Sequence, residues 1–314
     1  MAIIMTLLFI MTGLVEQFNT EPYMAANRAG GDMNWVVDQG TGGPFTSPKP
    51  VAAERFADVP GEPILVAPSS IDGFQVRLVA RSYDALVEPT LVEGRYPSSA
   101  GEVMIDESAD LPIGQSVSLG GQPATIVGLT EDATVLAGVN IAFVTLDFGQ
   151  SVAVSGQDLL LAKLTDQTPT VDPSLKILTA EQIGDDALVP LDGAISSVTL
   201  IKALLWLITV IVIAAIIYIS ALERTRDFAV LKAVGGRTSK LGGSLLIQGL
   251  VMTLLAVVVA GLLQLAIAPS FPLKVRVPTS AWFTIGGGAT LASIAAGAAG
   301  VMRVRSTSPA EAFA

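Results

Sequence analysis

Long apolar runs and short alternating segments divide this chain into two kinds of sequence. Three apolar runs, near residues 200–221, 244–268 and 282–301, approach the ~20 residues that cross ~30 Å of hydrocarbon. Alternating, β-branched segments recur instead between residues 51 and 164 and predict strands. The pattern therefore predicts three transmembrane helices that follow a folded polar domain.

Within the polar part, alternation predicts a domain that mixes strands with short helices. Two segments are separated by Gly120-Gly121, which predicts a hairpin because both turn positions tolerate positive φ. Short helices are expected at 51–57 and near 180–183, whereas Gly, Pro, Asn and Thr predict a loop over 18–50. The predicted strands are 63–66, 74–79, 103–106, 117–119, 125–129, 141–145 and 159–164. The expected class is α+β.

The first residues form a further apolar run, 1–14, that would cover only about 21 Å as a helix. It lacks the basic start and the small-residue exit of a signal peptide. We expect it to be the outer part of a first transmembrane helix that begins upstream of Met1. A cleaved signal peptide is the alternative.

Charge is distributed unevenly and predicts the orientation in the membrane. Residues 15–199 hold 25 of the 28 acidic residues but only eight of the 18 basic ones, a net charge of −17. Five basic residues lie between the second and third apolar runs, and Arg303 and Arg305 follow the last run. Because basic loops stay on the cytoplasmic side, both termini are expected there, with the acidic domain outside the cytoplasmic membrane.

The residue types that are absent restrict the chemistry available to the chain. It contains no Cys and no His, which excludes thiol catalysis, Ser-His-Asp triads and the usual zinc sites. No Gly-x-x-x-x-Gly-Lys-[Ser/Thr] phosphate loop occurs, and Gly235 to Lys240 has the wrong spacing. We expect no enzyme activity, no intrinsic cofactor and no nucleic-acid partner.

These patterns predict a multi-pass α-helical membrane protein with four transmembrane helices and an α+β extracytoplasmic domain between the first and second. The second span is expected to continue a helix that starts near Thr179, or to follow a flexible linker at 185–192. The predicted parts are a first span at 1–17, the outer domain and stalk at 18–198, a second span at 199–222, a cytoplasmic loop at 223–243, a third span at 244–268, an outer loop at 269–281, a fourth span at 282–302 and a cytoplasmic tail at 303–314.

Three stretches resemble one known family. Residues 222–236, LERTRDFAVLKAVGG, resemble the loop after the second span in ABC-transporter permeases of the MacB/FtsX superfamily. The segments 93–97, 101–105 and 113–117, EGRYP, GEVMI and IGQSV, are similar to a run in that family's outer domain. Residues 308–313 resemble its terminal segment, with Ser308 in place of an acidic residue.

The resemblance implies a homodimeric permease driven by two copies of a separate ATPase subunit that binds ATP and magnesium. On a helix, Phe228, Leu231 and Val234 share a side that can fill a groove on the ATPase. The basic residues can pair with the rim of that groove or with lipid phosphates. An ordinary basic loop without a partner is the alternative. The expected coupling residues are Glu223, Arg224, Arg226, Phe228, Leu231, Lys232, Val234 and Gly235.

Within the superfamily, the loop is most similar to the DevC/HrtB branch, whose HrtB-type members export heme. Heme is therefore the expected substrate, expelled from the membrane. Glu16 follows the first apolar run, where a carboxylate is costly unless it binds something or reaches the interface. It is the candidate heme-iron ligand, and the alternative is that it marks where the helix leaves the membrane. Further candidates for substrate binding are Phe9, Met11, Thr12 and Tyr218.

Two other functions fit the same topology. One is a non-transporting FtsX-type regulator that moves its outer domain to switch on a cell-wall hydrolase. The other is a permease for lipoproteins or peptides. A protruding partner-binding coil outside would favour the regulator, and none is evident between residues 51 and 164.

Overall fold

A computed structural model of the chain describes residues 1–83, 89–223, 238–271 and 273–306. The chain divides into two compact units, which are described separately. We call residues 1–17 with 195–314 the helical unit, and residues 18–194 the outer domain.

The helices run longer than the apolar runs that predict them, because backbone hydrogen bonds continue into polar sequence. Residues 238–243, predicted as loop, are thus helical. A three-residue 3₁₀ turn at Val189–Leu191, which includes Pro190, separates α3 from α4. Of the two alternatives, the structure therefore matches the helix that starts near Thr179, and the flexible linker at 185–192 is wrong. The helices are α1 (Ala2–Gly30), α2 (Leu146–Ala153), α3 (Ala180–Leu188), α4 (Asp192–Glu223), α5 (Thr238–Ile267) and α6 (Thr279–Ser306).

The outer domain is built on a mixed sheet that confirms the α+β prediction. In the described residues its main path has the order β13-β1-β12-β3-β4-β10-β6-β8-β5. The β4–β10 and β6–β8 pairs are parallel. The strands are β1 (Asn34–Asp38), β2 (Val51–Ala52), β3 (Glu62–Ile71), β4 (Phe74–Arg81), β5 (Leu91–Gly94), β6 (Glu102–Asp106), β7 (Ser116–Leu119), β8 (Gln122–Thr130), β9 (Thr134–Val135), β10 (Val139–Thr145), β11 (Leu159–Leu160), β12 (Ala162–Thr165) and β13 (Leu175–Leu178).

Two tight turns position the central strands. The predicted hairpin is confirmed, since Gly120 and Gly121 take φ of 57° and 86° between β7 and β8. A second hairpin joins β3 to β4, with Asp72 and Gly73 at φ of 48° and 89°. Positive φ at both central positions matches the right-handed twist of the paired strands.

The predicted loop over residues 18–50 is wrong in its first half. Helix α1 continues to Gly30, and β1 follows at Asn34. Buried Ala25, Ala26 and Ala29 pack with Trp35 in the core on one face of the sheet. Tertiary packing thus stabilises helix where composition suggested a turn. The helix predicted at 51–57 is instead β2 followed by a 3₁₀ turn, Ala53–Phe56.

Both faces of the sheet are buried. Alternation along β4 sends Val79 into the core shared with α1 and α3, while Leu78 and Ala80 enter a second core that includes Phe148 of α2. The central strands are therefore fixed by packing on both sides.

The four segments of the helical unit pack around a buried apolar core to which each of them contributes. Among the described residues, four helices are long and apolar enough to cross a membrane: Ala2–Gly30, Ala180–Glu223, Leu246–Ser270 and Thr279–Ala299. Phe9 lies 5.0 Å from Trp282, ring centre to ring centre. A Cβ at Gly288 would lie 2.4 Å from the Trp206 ring. Glycine therefore permits the close approach of α6 to α4.

Candidate coupling and substrate sites

Most of the predicted coupling segment lies outside the described residues. Glu223 is the last residue of α4 and is exposed, and the description resumes at Thr238, where α5 begins. The remaining coupling residues therefore stay predictions from the sequence: Arg224, Arg226, Phe228, Leu231, Lys232, Val234 and Gly235.

The predicted substrate residues of α1 occupy different environments. Phe9 is fully buried against Trp282, within the core of the helical unit. The Thr12 hydroxyl donates to the Leu8 carbonyl at 2.8 Å, one turn earlier. Met11 and Glu16 are half-buried. Phe9 is thus a packing residue in this structure, whereas Met11 and Glu16 keep accessible surface.

Tyr218 lies at the other end of the helical unit from Glu16. Its neighbour Ile217 lines a cavity of about 30 Å³ together with Met1 and Gly249. Glu16 is fifteen residues further along α1, which corresponds to roughly 22 Å of helix. Tyr218 is 47% exposed and is not brought together with Glu16 within one copy of the chain.

The helical unit also contains buried polar side chains that were not predicted from the sequence. Thr6 donates to the Ala2 and Ala260 carbonyls at 3.0 and 3.3 Å, so it links α1 to α5. Thr253, Gln264 and Ser293 are also buried. Polar residues within the apolar runs were the available signal, since such residues usually face the interior of a helix bundle.

The outer-domain segment of α1 carries a buried carboxylate that sequence analysis did not identify. Glu21 is 2% exposed and accepts hydrogen bonds from the backbone N–H groups of Ala137 and Gly138, at 3.1 and 2.7 Å. Leu136 and Ala137 have positive φ, 55° and 64°, so this turn forms a concave anion site. Glu21 thereby fixes the β9–β10 turn to α1.

The charged residues of the family-like segments form an ion pair in the outer domain. Arg95 Nη1 contacts Glu102 Oε2 at 2.7 Å, and Nη2 contacts Oε1 at 2.5 Å. The backbone N–H groups of Ser98 and Ser99 also donate to this carboxylate. These residues therefore close a surface loop rather than line a ligand site.

Comparison with known proteins identifies relatives over almost the whole chain. Residues 199–309 match the family described as FtsX-like permease C-terminal. An uncharacterized ABC transporter permease of Mycobacterium tuberculosis is 33% identical over 324 residues, covering 99% of this chain and 92% of the relative. A second one from that organism is 32% identical, with 97% and 90% covered.

More distant matches cover less of the chain. A Staphylococcus epidermidis protein named putative hemin transport system permease protein HrtB is 26% identical over 207 residues, covering 60% of this chain and 55% of the relative. The periplasmic region of MacB from Actinobacillus actinomycetemcomitans aligns with a TM-score of 0.36 and 12% identity, over 51% of this chain and 94% of that structure.

Proposed function

Because this chain belongs to the ABC transporter permeases of the MacB/FtsX superfamily, we propose that it expels a hydrophobic compound, with heme as the leading candidate. The observation that carries the proposal is the 33% identity to an ABC transporter permease across 99% of the chain. Such a permease implies an ATPase partner. In this proposal two permease copies form a homodimer, with two ATPase subunits binding their cytoplasmic loops.

The sequence and the helices support a membrane-spanning permease subunit and a separate subunit that binds ATP. The chain has no phosphate loop of its own, so ATP and magnesium bind to the partner. The four candidate spans form a multi-pass membrane protein with an extracellular domain. In our proposal both termini and the segment between α4 and α5 are cytoplasmic, as the positions of basic residues favour.

Two observations support heme as the substrate. One relative carries a name that refers to hemin transport, although it is only 26% identical. Glu16 is a half-buried carboxylate one residue before the helical unit gives way to the outer domain. With His and Cys absent, carboxylate, Met and Tyr are the side chains left to bind iron. We propose Glu16 as the ligand, with Thr12 one turn earlier on the same side of α1 and Met11 as a further candidate on that helix.

The proposal is tested with the permease and its ATPase reconstituted together in lipid nanodiscs. Hemin should stimulate ATP hydrolysis in a concentration-dependent way. Glu16→Ala should weaken that stimulation and shift the absorption spectrum of bound hemin. The matched control is Glu54→Ala, which removes an exposed carboxylate of the outer domain. Unchanged spectra and stimulation in Glu16→Ala would remove Glu16 from the site.

The coupling residues need a separate test. Phe228→Ala should reduce the amount of ATPase that copurifies with the permease, because it removes an apolar side chain of the proposed contact. Thr225→Ala, on the same segment, is the control and should leave copurification unchanged. If the complex forms and hydrolyses ATP but no tested compound stimulates it, a regulatory function of the FtsX type replaces transport.

A further inference from the structure

Strand β4 carries two arginines on the same face of the sheet, and their side chains have different surroundings. Arg77 and Arg81 are four residues apart, so alternation places both on the face of Val79. Arg81 is fully buried, donates to the Ala29 carbonyl at 2.7 Å and pairs with Glu62 at 3.1 Å. Arg77 makes no hydrogen bond or ion pair with the described part of the chain, and its buried Nε has no acceptor there.

The lack of a partner is unusual in so acidic a domain. The other four arginines among the described outer-domain residues each pair with a carboxylate. They are Arg28 with Glu131 at 3.6 Å, Arg55 with Asp38 at 3.2 Å, Arg81 with Glu62 at 3.1 Å and Arg95 with Glu102 at 2.5 Å. Burial lowers the pKa of Arg77. A half-buried guanidinium without a counter-charge costs free energy, which a bound anion would offset.

Arg77 lines a cleft of about 730 Å³ that offers both polar and apolar contacts. On the face of Arg77, Ser70 and Gln75 supply hydroxyl and amide groups, whereas Leu136 and Val139 supply apolar surface. Among the described residues that line the cleft, none is acidic. The cleft therefore combines one uncompensated positive charge with hydrogen-bonding groups and an apolar wall.

We propose that this cleft binds an amphiphilic oxyanion, a molecule that joins a carboxylate or phosphate to an apolar body. Arg77 takes the negative charge, since a guanidinium presents paired N–H donors to the two oxygens of such a group. The apolar body lies along the valine and leucine side chains. The site lies wholly in the outer domain and does not depend on heme as the substrate or on Glu16.

The test uses the full-length permease in nanodiscs and measures its melting temperature and the binding isotherm. Octanoate is the carboxylate probe, 1-octanol its uncharged match and acetate the anion without an apolar body. Octanoate should raise the melting temperature more than either control at equal concentration. A short-chain phosphatidic acid tests whether phosphate replaces carboxylate, and binding of either probe supports the site.

Three variants test whether octanoate binds at Arg77. Arg77→Met should weaken octanoate binding by roughly tenfold or more, because it removes a charge-assisted hydrogen bond. Arg77→Lys keeps the charge but loses the paired donors, so its affinity should lie between those of Arg77→Met and the unmodified protein. Arg55→Met is the control, because its ion pair with Asp38 lies outside the cleft, and it should bind octanoate normally.

The ligand-free variant gives a second readout. Arg77→Met removes no hydrogen bond or ion pair to the described residues, so its melting temperature without ligand should equal or exceed that of the unmodified permease. A marked decrease would show that Arg77 has a structural role and would overturn the proposal. Equal binding of octanoate and octanol would also overturn it, and this comparison does not require any variant to fold.

Discussion

Arg95 and Glu102 form a bidentate ion pair across a surface loop, with contacts of 2.7 and 2.5 Å. The same carboxylate accepts the N–H groups of Ser98 and Ser99, at 2.8 and 3.2 Å. Two charged residues of the family-like segments thus hold the connection between β5 and β6. These contacts give Arg95 and Glu102 a structural role in the family-like segments rather than a role in substrate binding.

The pair makes stability depend on pH. The hydrogen bonds of Arg95 lower the pKa of Glu102 from 4.5 to about 2. Since the folded-state value is lowered, the stabilisation is complete above pH 4.5 and is lost as the pH falls toward about 2. At pH 7, Glu102→Gln should lower the melting temperature by roughly 2–4 °C, with a smaller effect in high salt because Arg95 is exposed.

The control for this measurement is Glu93→Gln, which changes an exposed carboxylate on β5. Its melting temperature should match that of the unmodified permease at every pH. The difference between Glu102→Gln and the unmodified protein should shrink below pH 4.5. A difference that stays constant down to pH 2 would contradict the assignment of the stabilisation to the ionised carboxylate.

Gly94 holds the start of the same loop in a conformation that other residues adopt only at a cost. Its φ is 85°, and an added Cβ would lie 2.3 Å from the Val127 carbonyl oxygen. Gly94→Ala should therefore destabilise the outer domain by about 2 kcal/mol or more, measured by urea unfolding. Gly114→Ala is the control, since φ is 87° there with open space around the Cβ. It should cost only about 1 kcal/mol.

If both alanine variants unfold at the same urea concentration, the close approach of the Val127 carbonyl does not contribute. A larger loss in Gly94→Ala isolates the steric part of the effect. Both variants should keep the sheet, which far-ultraviolet circular dichroism checks.

The sequence predicted those elements whose pattern is local. The hairpin at Gly120 and Gly121 depends on two adjacent glycines, and the spans depend on continuous apolar runs. Helix α1 beyond Gln17 was missed because Pro22 and the following glycines suggest a loop, while the packing of Ala25 and Ala29 against the sheet is a tertiary effect. Local composition cannot register packing against a distant strand.

The different surroundings of the two arginines of β4 could not be predicted from the local sequence either. In the strand FQVRLVAR, Arg77 and Arg81 have equivalent positions in the pattern, yet only Arg81 pairs with a carboxylate among the residues that the structure describes. The partner of Arg81, Glu62, comes from β3, and its carbonyl partner, Ala29, comes from α1. Such differences arise from the strand pairing and from the helix that covers the sheet, and neither is visible in the sequence of β4.

Glu21 should control the mobility of the β9–β10 turn. In Glu21→Ala the N–H groups of Ala137 and Gly138 lose their acceptor within the protein, which costs about 1–3 kcal/mol. Hydrogen exchange of a peptide covering residues 134–142 should become faster in this variant. Glu181→Ala, an exposed position on α3, is the control and should exchange like the unmodified protein. Unchanged exchange in Glu21→Ala would show that the turn is held by other contacts.

Two adjacent glycines of α6 provide a matched test of helix packing in the membrane. A Cβ at Gly288 would lie 2.4 Å from the Trp206 ring, whereas a Cβ at Gly287 would meet nothing within 4 Å. Gly288→Ala should lower the stability of the helical unit by about 1–3 kcal/mol, because the ring or the helix must shift. Gly287→Ala should be neutral or stabilising, because alanine favours helix over glycine by about 1 kcal/mol.

The measurement for both variants is the melting temperature of the permease in nanodiscs, followed by Trp fluorescence. Because Trp206 is the contacted ring, its emission should also shift in Gly288→Ala and stay constant in Gly287→Ala. Trp206→Ala combined with Gly288→Ala provides the double-mutant test: the cost of the added methyl group should largely disappear when the ring is absent. Additive effects of the two substitutions would show that Gly288 and Trp206 do not pack together.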